Sequence, residues 1–299
     1  MAQSHNFLYE DLKKRVDKKL LNKVSIFTDI DKADFSKKSV YWACNSPSNN
    51  SMQFLSDLDY FKKIDYFVFP TYWLADFYRK SFDIPDEKVS VIKYANSGIN
   101  TLKSKNKNKV KICYTSSPWR GLNILLDAWE KINCTDVELD IYSGISLYGK
   151  EFYTGQDTFN NFLYNKCNNL KNVNYVKDFD LTKLKKILPE YHLMAYPCTY
   201  SEPTGVEVID SLCAGTRVVC SSHGCLPEVT EGWAKMYPVI VNTDYHVENF
   251  ASILESEINA VKDGIYDEQF NLQTEIYSPN WDWEERKYDW EDFLGYIVE

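Results

Sequence analysis

Two carboxylates stand eight positions apart in the run EPTGVEVID, where Glu202 and Asp210 enclose Gly205. Carboxylates accept hydrogen bonds from paired hydroxyls such as those of a ribose or a hexose. The glycine allows close approach of the backbone to a ligand, and Thr204 and Val206 stand beside it. This pattern predicts a site for a polyhydroxylated ligand. Two surface acids, one on a loop and one on a helix, are the alternative.

A second cluster, TSSPWRG, follows an apolar strand pattern and precedes a helical one. Helix N-termini attract phosphate because their first N–H groups are unpaired. Arg120 adds a guanidinium that can hold a diphosphate through two parallel hydrogen bonds, Thr115 and Ser116 add hydroxyls, and Gly121 stands where the helix begins. An N-cap with an exposed arginine is the alternative. The sequence contains neither GxxxxGK[ST] nor GxGxxG, which argues against a P-loop and a dinucleotide dehydrogenase.

Three further segments also follow predicted strands. SSHGCLPE contains His223, which either contacts a phosphate or sugar or is an exposed loop histidine. Ser143 and Gly144 end another strand. The loop 177–184 is expected to form the wall of a nucleobase site, and the wall residues are Asp178, Phe179 and Leu184.

The elements that position these residues alternate between apolar strand patterns and amphipathic helical patterns. The strongest helical pattern spans 206–213 and ends before Gly215, and a β-branched strand follows at 216–221. Such alternation predicts parallel α/β layers. Ligands bind outside the carboxyl ends of the strands in open α/β sheets, so the candidate loops are expected to share one crevice. Weaker patterns predict a helix over 52–63 and a strand over 239–241.

A polar, lysine-rich stretch divides the chain into two α/β series. Residues 101–109 read TLKSKNKNK and lack apolar periodicity, so they are expected to link two domains. The first domain spans 1–100, and the second spans 110–276. An aromatic helix over 277–299 is expected to dock onto another surface. A long surface loop is the alternative to a linker.

Composition limits the possible classes of protein. The 299 residues carry a net charge of −9, which disfavours a general nucleic-acid or anionic-membrane binder. No apolar run approaches the roughly 18–20 residues that span a bilayer, and no secretion signal is visible. None of the eight cysteines forms a CxxC pair, and the four histidines are scattered. A cytoplasmic protein without a metal site is expected.

Together these segments resemble the GT-B glycosyltransferases, in particular the retaining, family-4-like glycosyl transferases of group 1. That group carries an E-x7-E motif followed by a G-x-x-E loop. Here the run extends from Glu202 through Asp210 and AGTRVV to GCLPE, in the same order and spacing. The segment RGLNILLDAW at 120–129 is similar to the family's K/R-G and L-L-x-A-[FW] pattern. The similarity covers most of residues 60–290.

The resemblance implies two Rossmann-like domains with parallel sheets that face each other across a cleft. It implies sugar transfer from a UDP- or GDP-sugar to an acceptor hydroxyl with retained anomeric configuration, without a metal or other cofactor. By position, Arg120 would hold the diphosphate, and Glu202 would meet the donor sugar near the N–H groups of Gly205 and Val206. Asp210 would hold the ribose, and the C-terminal helix over 277–299 would pack back toward the first domain. Arg120 and Glu202 are thus the expected catalytic residues.

Some positions depart from the family pattern. The second family glutamate is Asp210, one methylene shorter, and Thr115 replaces a basic residue. Cys44-Asn45 replaces a family histidine, and the first domain is short. A non-catalytic nucleotide-sugar or glycan-binding module and a GT-B sugar-nucleotide epimerase therefore remain alternatives. The acceptor stays open among a glycan, a protein, a lipid, a small molecule and a modified nucleic-acid base.

Overall fold

The computed structural model describes residues 2–96, 99, 105, 108–144, 157–177 and 179–299. The strands are β1 (Val24–Phe27), β2 (Lys38–Trp42), β3 (Tyr66–Phe69), β4 (Val89–Val91), β5 (Val110–Tyr114), β6 (Val137–Ile141), β7 (Val173–Tyr175), β8 (Leu193–Tyr196), β9 (Arg217–Ser221) and β10 (Lys235–Tyr237). The helices are α1 (Ala2–Arg15), α2 (Lys18–Leu21), α3 (Leu58–Phe61), α4 (Tyr72–Phe82), α5 (Leu122–Trp129), α6 (Asp157–Asn169), α7 (Leu181–Ile187), α8 (Val206–Cys213), α9 (Leu226–Thr230), α10 (Thr243–Lys262), α11 (Gln269–Tyr277) and α12 (Trp283–Val298).

The chain forms two compact units. The first comprises Met1–Ala95, Glu202–Thr204 and Trp281–Glu299, and the second comprises Asn96–Ser201 and Gly205–Asn280. The domain limits expected from the sequence stay predictions, and most of the expected linker 101–109 lies outside the described residues.

The first unit is built on a four-stranded parallel sheet in the order β1-β2-β3-β4. Its strands are short. Strands β1, β2 and β3 are almost fully buried, as in a sheet covered on both faces, whereas the edge strand β4 is half-buried. Thr71 caps α4 by accepting a hydrogen bond from the Leu74 N–H at 3.1 Å. The order of the strands in the sheet follows their order in the chain. The strand order therefore does not reverse anywhere in this sheet.

An aromatic core holds the first unit together. Tyr41 packs against Phe67, with ring centroids 6.1 Å apart. The buried residues of α12 recur every three or four positions, so the helix buries one face, which is apolar apart from Arg286. Trp290 on this face lies 4.9 Å from Trp42 of β2, between ring centroids. The aromatic character of the C-terminal helix therefore reflects core packing within this unit.

The second unit contains a six-stranded parallel sheet in the order β10-β9-β8-β5-β6-β7. The chain runs outward from β5 through β6 to β7, returns to the centre, and runs outward in the other direction from β8. This is the strand order of a doubly wound Rossmann sheet. The central strands β5 and β8 pair directly, with Ile112 beside Leu193.

Two predictions of local structure were wrong. The helix predicted over 52–63 is a 3-10 segment, Asn50–Ser56, followed by α3, because the Asp57 carboxylate caps a new helix by accepting from the Asp59 N–H at 2.9 Å. The strand predicted over 239–241 is absent, and the strand in this region is β10, which pairs with β9. Strand formation there depends on a distant partner, which the local sequence does not show.

No helix in the described part of the chain combines the length and the apolar character needed to cross a membrane.

Candidate functional site

In the sheet of the second unit, the strand order reverses between β5 and β8, and this position is the topological switch point of the sheet. The loops that follow two such strands leave on opposite faces of the sheet, and a crevice opens between them. Here these loops are 115–121 and 197–205, which are the two segments that the sequence singles out. They lead into α5 and α8, so two helix N-termini lie at this edge of the sheet. Two nearby N-termini favour an anionic ligand.

Gly121 holds the first loop against the second. It precedes α5 with a φ of 93°, in the left-handed region that favours glycine. A Cβ at this position would lie 2.7 Å from the carbonyl carbon of Pro197 and closer still to its oxygen. The loop after β5 therefore passes so close to the backbone after β8 that a side chain cannot be accommodated without movement.

Arg120 lies at this junction and is buried. Its Nη1 lies 3.4 Å from the Tyr196 hydroxyl, and its guanidinium lies over the Tyr200 ring at 5.2 Å from the centroid. Burial raises the pKa of Tyr196 well above its usual value, while the charge of Arg120 acts in the opposite direction. The two tyrosines, at the end of β8 and in the loop after it, thus fix a buried positive charge beside the switch point.

Two hydroxyls at the same edge have no protein partner among the described residues. Ser116, after β5, is 2% exposed and Ser143, after the neighbouring β6, is fully buried. The Oγ atoms of both are buried without a hydrogen bond in the part of the chain that the structure describes. Thr115 and Gly144 beside them are also buried. Unsatisfied buried hydroxyls cost about 1–3 kcal/mol each, so their presence at one edge is consistent with a ligand-binding role.

The second helix N-terminus is set by Gly205, which has a φ of 63° and immediately precedes Val206. A Cβ on Gly205 would lie 2.9 Å from Cγ2 of Val229 in α9. Behind this loop, the Ser221 hydroxyl donates to the Cys198 carbonyl and joins the end of β9 to the loop after β8. The N–H groups at the start of α8 are therefore held by packing on both sides.

Glu202 and Thr204 belong to the first unit, although their chain neighbours on both sides belong to the second. Both side chains are buried, and the Thr204 N–H donates to Oε1 of Glu202 at 3.5 Å.

The structure brings Arg120, Gly121, Ser143 and Gly205 to one edge of the second sheet. The expected role of Glu202 toward a donor sugar stays a prediction.

Asp210 has a cationic partner that the sequence did not predict. Its Oδ2 lies 3.1 Å from Nζ of Lys185 on α7, and both side chains are largely buried. Burial raises the pKa of the Asp210 carboxyl, whereas the charge and hydrogen bond of Lys185 lower it. Lys185 therefore opposes the effect of burial and favours the charged form of Asp210, which is the form that accepts two hydroxyls.

Replacing Lys185 with methionine should destabilise the protein in a pH-dependent way. Without the lysine, the pKa of Asp210 in the folded state rises further. For a carboxyl with a raised folded-state pKa, the stability of the fold is intact at a pH below the ordinary aspartate pKa and falls as the pH rises. We expect a loss of about 3 kcal/mol in the free energy of unfolding at about pH 8 and a much smaller loss at about pH 4. Urea unfolding at both values measures this difference.

The Lys185→Met/Asp210→Asn double variant provides the control for this prediction, because it removes the carboxylate that would be left unpaired. Its stability should vary with pH no more steeply than that of the wild type. An equal loss at both pH values in Lys185→Met would show that the lysine contributes only packing.

A groove of about 590 Å³ lies beside β6 and α7. Tyr142, Phe179 and Leu184 are among the residues that line it, and the rings of Tyr142 and Phe179 meet edge to face at 5.5 Å between centroids. Tyr142 is itself fixed by a 2.7 Å hydrogen bond to the Tyr191 hydroxyl. Two of the residues predicted to form a nucleobase wall thus line this groove, while the third, Asp178, lies outside the described residues.

His223 follows β9 at the same edge of the sheet. Its Nε2 lies 3.0 Å from the Ser201 hydroxyl, so it braces the loop after β8. This contact gives the histidine a positioning role, which neither of the two sequence-based interpretations included.

Sequence reasoning missed Lys185, Tyr196 and Tyr200. Lysine on a helical surface is common, and nothing local distinguishes Lys185 from its neighbours Lys183 and Lys186. Tyr196 ends β8 and Tyr200 lies in the loop after it, so a position at or just after the carboxyl end of a predicted strand was the available signal.

Comparison with known proteins identifies the fold. The chain matches HepE from Anabaena, solved with UDP and glucose, at a TM-score of 0.71 and 14% identity, over 95% of this chain and 81% of HepE. It matches the pneumococcal O-GlcNAc transferase GtfA, solved with UDP and GlcNAc, at a TM-score of 0.64 and 14% identity, over 94% of this chain and 59% of GtfA. It matches sucrose-phosphate synthase from Thermosynechococcus elongatus at a TM-score of 0.66 and 11% identity, over 88% of this chain and 68% of the synthase.

No protein-family model and no curated protein sequence matches the chain. The structural likeness at these low identities establishes the fold, which is GT-B, with two parallel-sheet α/β domains of four and six strands. The fold implied by the motif resemblance is therefore confirmed.

Proposed function

We propose that this protein is a glycosyltransferase that moves a sugar from a nucleoside-diphosphate sugar to an acceptor hydroxyl. The observation that carries the proposal is the convergence of buried Arg120 with the N-termini of α5 and α8 at the β5–β8 switch point. A diphosphate is the leaving group of such a reaction. A buried cation and two helix N-termini are suited to stabilise the negative charge that develops on it.

The remaining residues have distinct proposed roles. The groove lined by Phe179 and Leu184 takes the nucleobase, and Asp210, held by Lys185, takes the ribose hydroxyls. Ser116 and Ser143 hydrogen-bond to the ligand through hydroxyls that are buried without protein partners in the described chain. Glu202 takes the hydroxyls of the donor sugar. UDP-sugars are the favoured donors because HepE and GtfA were solved with UDP and a sugar.

We further propose that transfer retains the anomeric configuration and needs no metal ion, as the motif resemblance implies. In this scheme Arg120 and the helix N-termini provide the charge stabilisation that a divalent cation provides in other transferases. A cytoplasmic location is proposed because all eight cysteines are free thiols, which a reducing compartment maintains. The acceptor is not assigned.

A thermal-shift screen with UDP, GDP, ADP and their sugars tests the proposal. A ligand at 100 times its dissociation constant stabilises the folded state by about 2.7 kcal/mol, so a true donor should raise the melting temperature saturably. Ligands that stabilise the protein are then assayed for hydrolysis and transfer. Absence of stabilisation by every nucleoside diphosphate would contradict the proposal, and saturable binding without turnover over a broad acceptor panel would indicate a binding module.

A further inference from the structure

A cationic groove lies in the first unit, on a chain whose net charge is −9. The groove has a volume of about 460 Å³, and its charged lining residues are Lys13, Lys18, Lys32, Lys37 and Asp34. Four lysines and one aspartate thus line the groove. The positive charge of the groove is opposite to that of the chain as a whole, so an anionic ligand would be attracted here rather than to the average surface.

The lysines come from both walls of the groove. Lys13 and Lys18 lie on α1 and α2, whereas Lys32 and Lys37 lie on the connection between β1 and β2. Lys13 makes a 2.5 Å ion pair with Glu10, which offsets part of the charge of the helical wall. Lys18 and Lys37 are both exposed, one on each wall, so an anionic chain lying in the groove would meet cations on both sides.

The floor of the groove is β1, the edge strand of the four-stranded sheet. Lysines beside an edge strand also protect proteins from edge-to-edge pairing, and this is the competing explanation for their presence. The two explanations make different predictions for glutamate substitutions. Glutamate would still block pairing because it is charged, but it would repel an anionic ligand.

The shape and composition of the groove favour a soluble chain over a lipid surface. Within residues 8–38, whose side chains the structure describes, no large apolar side chain is exposed. A surface that enters a bilayer interface presents such side chains. Tyr9 instead lies half-buried in the groove, with Nζ of Lys13 4.6 Å from the centroid of its ring.

We propose that this groove binds a linear polyanion, a chain that carries phosphate or carboxylate groups at intervals. The inference does not depend on nucleotide binding at the second unit.

The test compares two double variants that change the net charge equally. Lys18→Glu/Lys37→Glu reverses charge on both walls of the groove. Lys62→Glu/Lys80→Glu makes the same change at exposed positions of the first unit that do not line the groove. The probe is inorganic polyphosphate, and the readout is the dissociation constant by titration calorimetry at low and at moderate salt.

We expect wild-type binding that weakens as salt rises, because screening shortens the reach of exposed charges to about 10 Å at 0.1 M. The groove variant should bind at least about 10-fold more weakly than the control variant, while both keep the wild-type melting temperature and remain monodisperse. Equal weakening in both variants would overturn the proposal, because it would indicate diffuse attraction.

A second arm uses vesicles of phosphatidylglycerol and phosphatidylcholine. Wild-type binding to vesicles without binding to polyphosphate would overturn the proposal in favour of a membrane contact. Absence of binding to both probes would also overturn it. Binding to polyphosphate that depends on Lys18 and Lys37 supports it, even if no nucleoside diphosphate binds to the protein.

Discussion

Replacing Arg120 with methionine is expected to weaken the binding of a nucleoside diphosphate by about 100-fold while leaving the protein folded. Hydrogen bonds to charged groups contribute about 1.5–3 kcal/mol each, and 1.4 kcal/mol corresponds to tenfold in affinity. Methionine is chosen because Arg120 is buried against Tyr196 and Tyr200, where alanine would leave a cavity. Methionine keeps much of the buried volume of the arginine side chain, which limits the cavity that the substitution leaves.

Two further variants isolate the role of the guanidinium. Arg120→Lys keeps the charge but loses the planar pair of donors, so its affinity should lie between those of the wild type and Arg120→Met. Arg217→Met removes an arginine at the start of β9 that is ion-paired with Glu257 at 2.7 Å. This control should lower stability and leave nucleotide affinity unchanged.

Calorimetric titration with the nucleoside diphosphate that stabilises the wild type measures these affinities. Unchanged affinity in Arg120→Met would exclude the arginine as the phosphate-binding group. A loss in Arg217→Met as large as that in Arg120→Met would show that destabilisation, rather than a missing contact, weakens binding.

The second large effect is expected for Gly121→Ala, which should destabilise the protein by about 3 kcal/mol or more. Two costs combine at this position. The backbone has a φ of 93°, which an L-residue adopts only with strain, and the new Cβ would meet the Pro197 backbone, with its carbonyl carbon 2.7 Å away. Backbone atoms cannot rotate aside, so the loops after β5 and β8 must separate.

Gly232→Ala is the matched control for this substitution. Gly232 has a φ of 83°, and no atom lies within 4 Å of a Cβ built there. This variant should therefore show the backbone strain alone, about 1–2 kcal/mol. Urea unfolding measures both. Equal losses would mean that the two loops are not in tight contact, whereas a larger loss in Gly121→Ala, together with weaker nucleotide binding, would support the junction as the ligand site.

The sequence alone determined the class of fold and most of its elements. Apolar runs of four or five residues, closed by Pro70 or Pro197, predicted buried strands, and helical periodicity before Gly215 predicted α8. These signals are local, because side-chain periodicity depends only on whether the backbone is extended or helical. Elements without such periodicity, such as the 3-10 segment 50–56 and β10, were the ones predicted wrongly.

The sequence also located the two loops of the candidate site, because positions after predicted strands can be read directly from the chain. It did not show that these loops meet, since the contact between Gly121 and Pro197 joins residues far apart in sequence. Only the strand order places β5 beside β8 and creates the switch point.

Tertiary structure also decided which charges are paired. The motif resemblance implied that Asp210 holds a ribose, but its contact with Lys185 arises from the packing of α7 near α8. The cationic groove likewise joins lysines from α1, α2 and the β1–β2 connection. Interactions between distant segments depend on how the elements pack. The types of side chain along the sequence do not show how far apart those segments lie in the folded protein. The sequence therefore determined which residues can do chemistry, and the tertiary structure determined which of them act together.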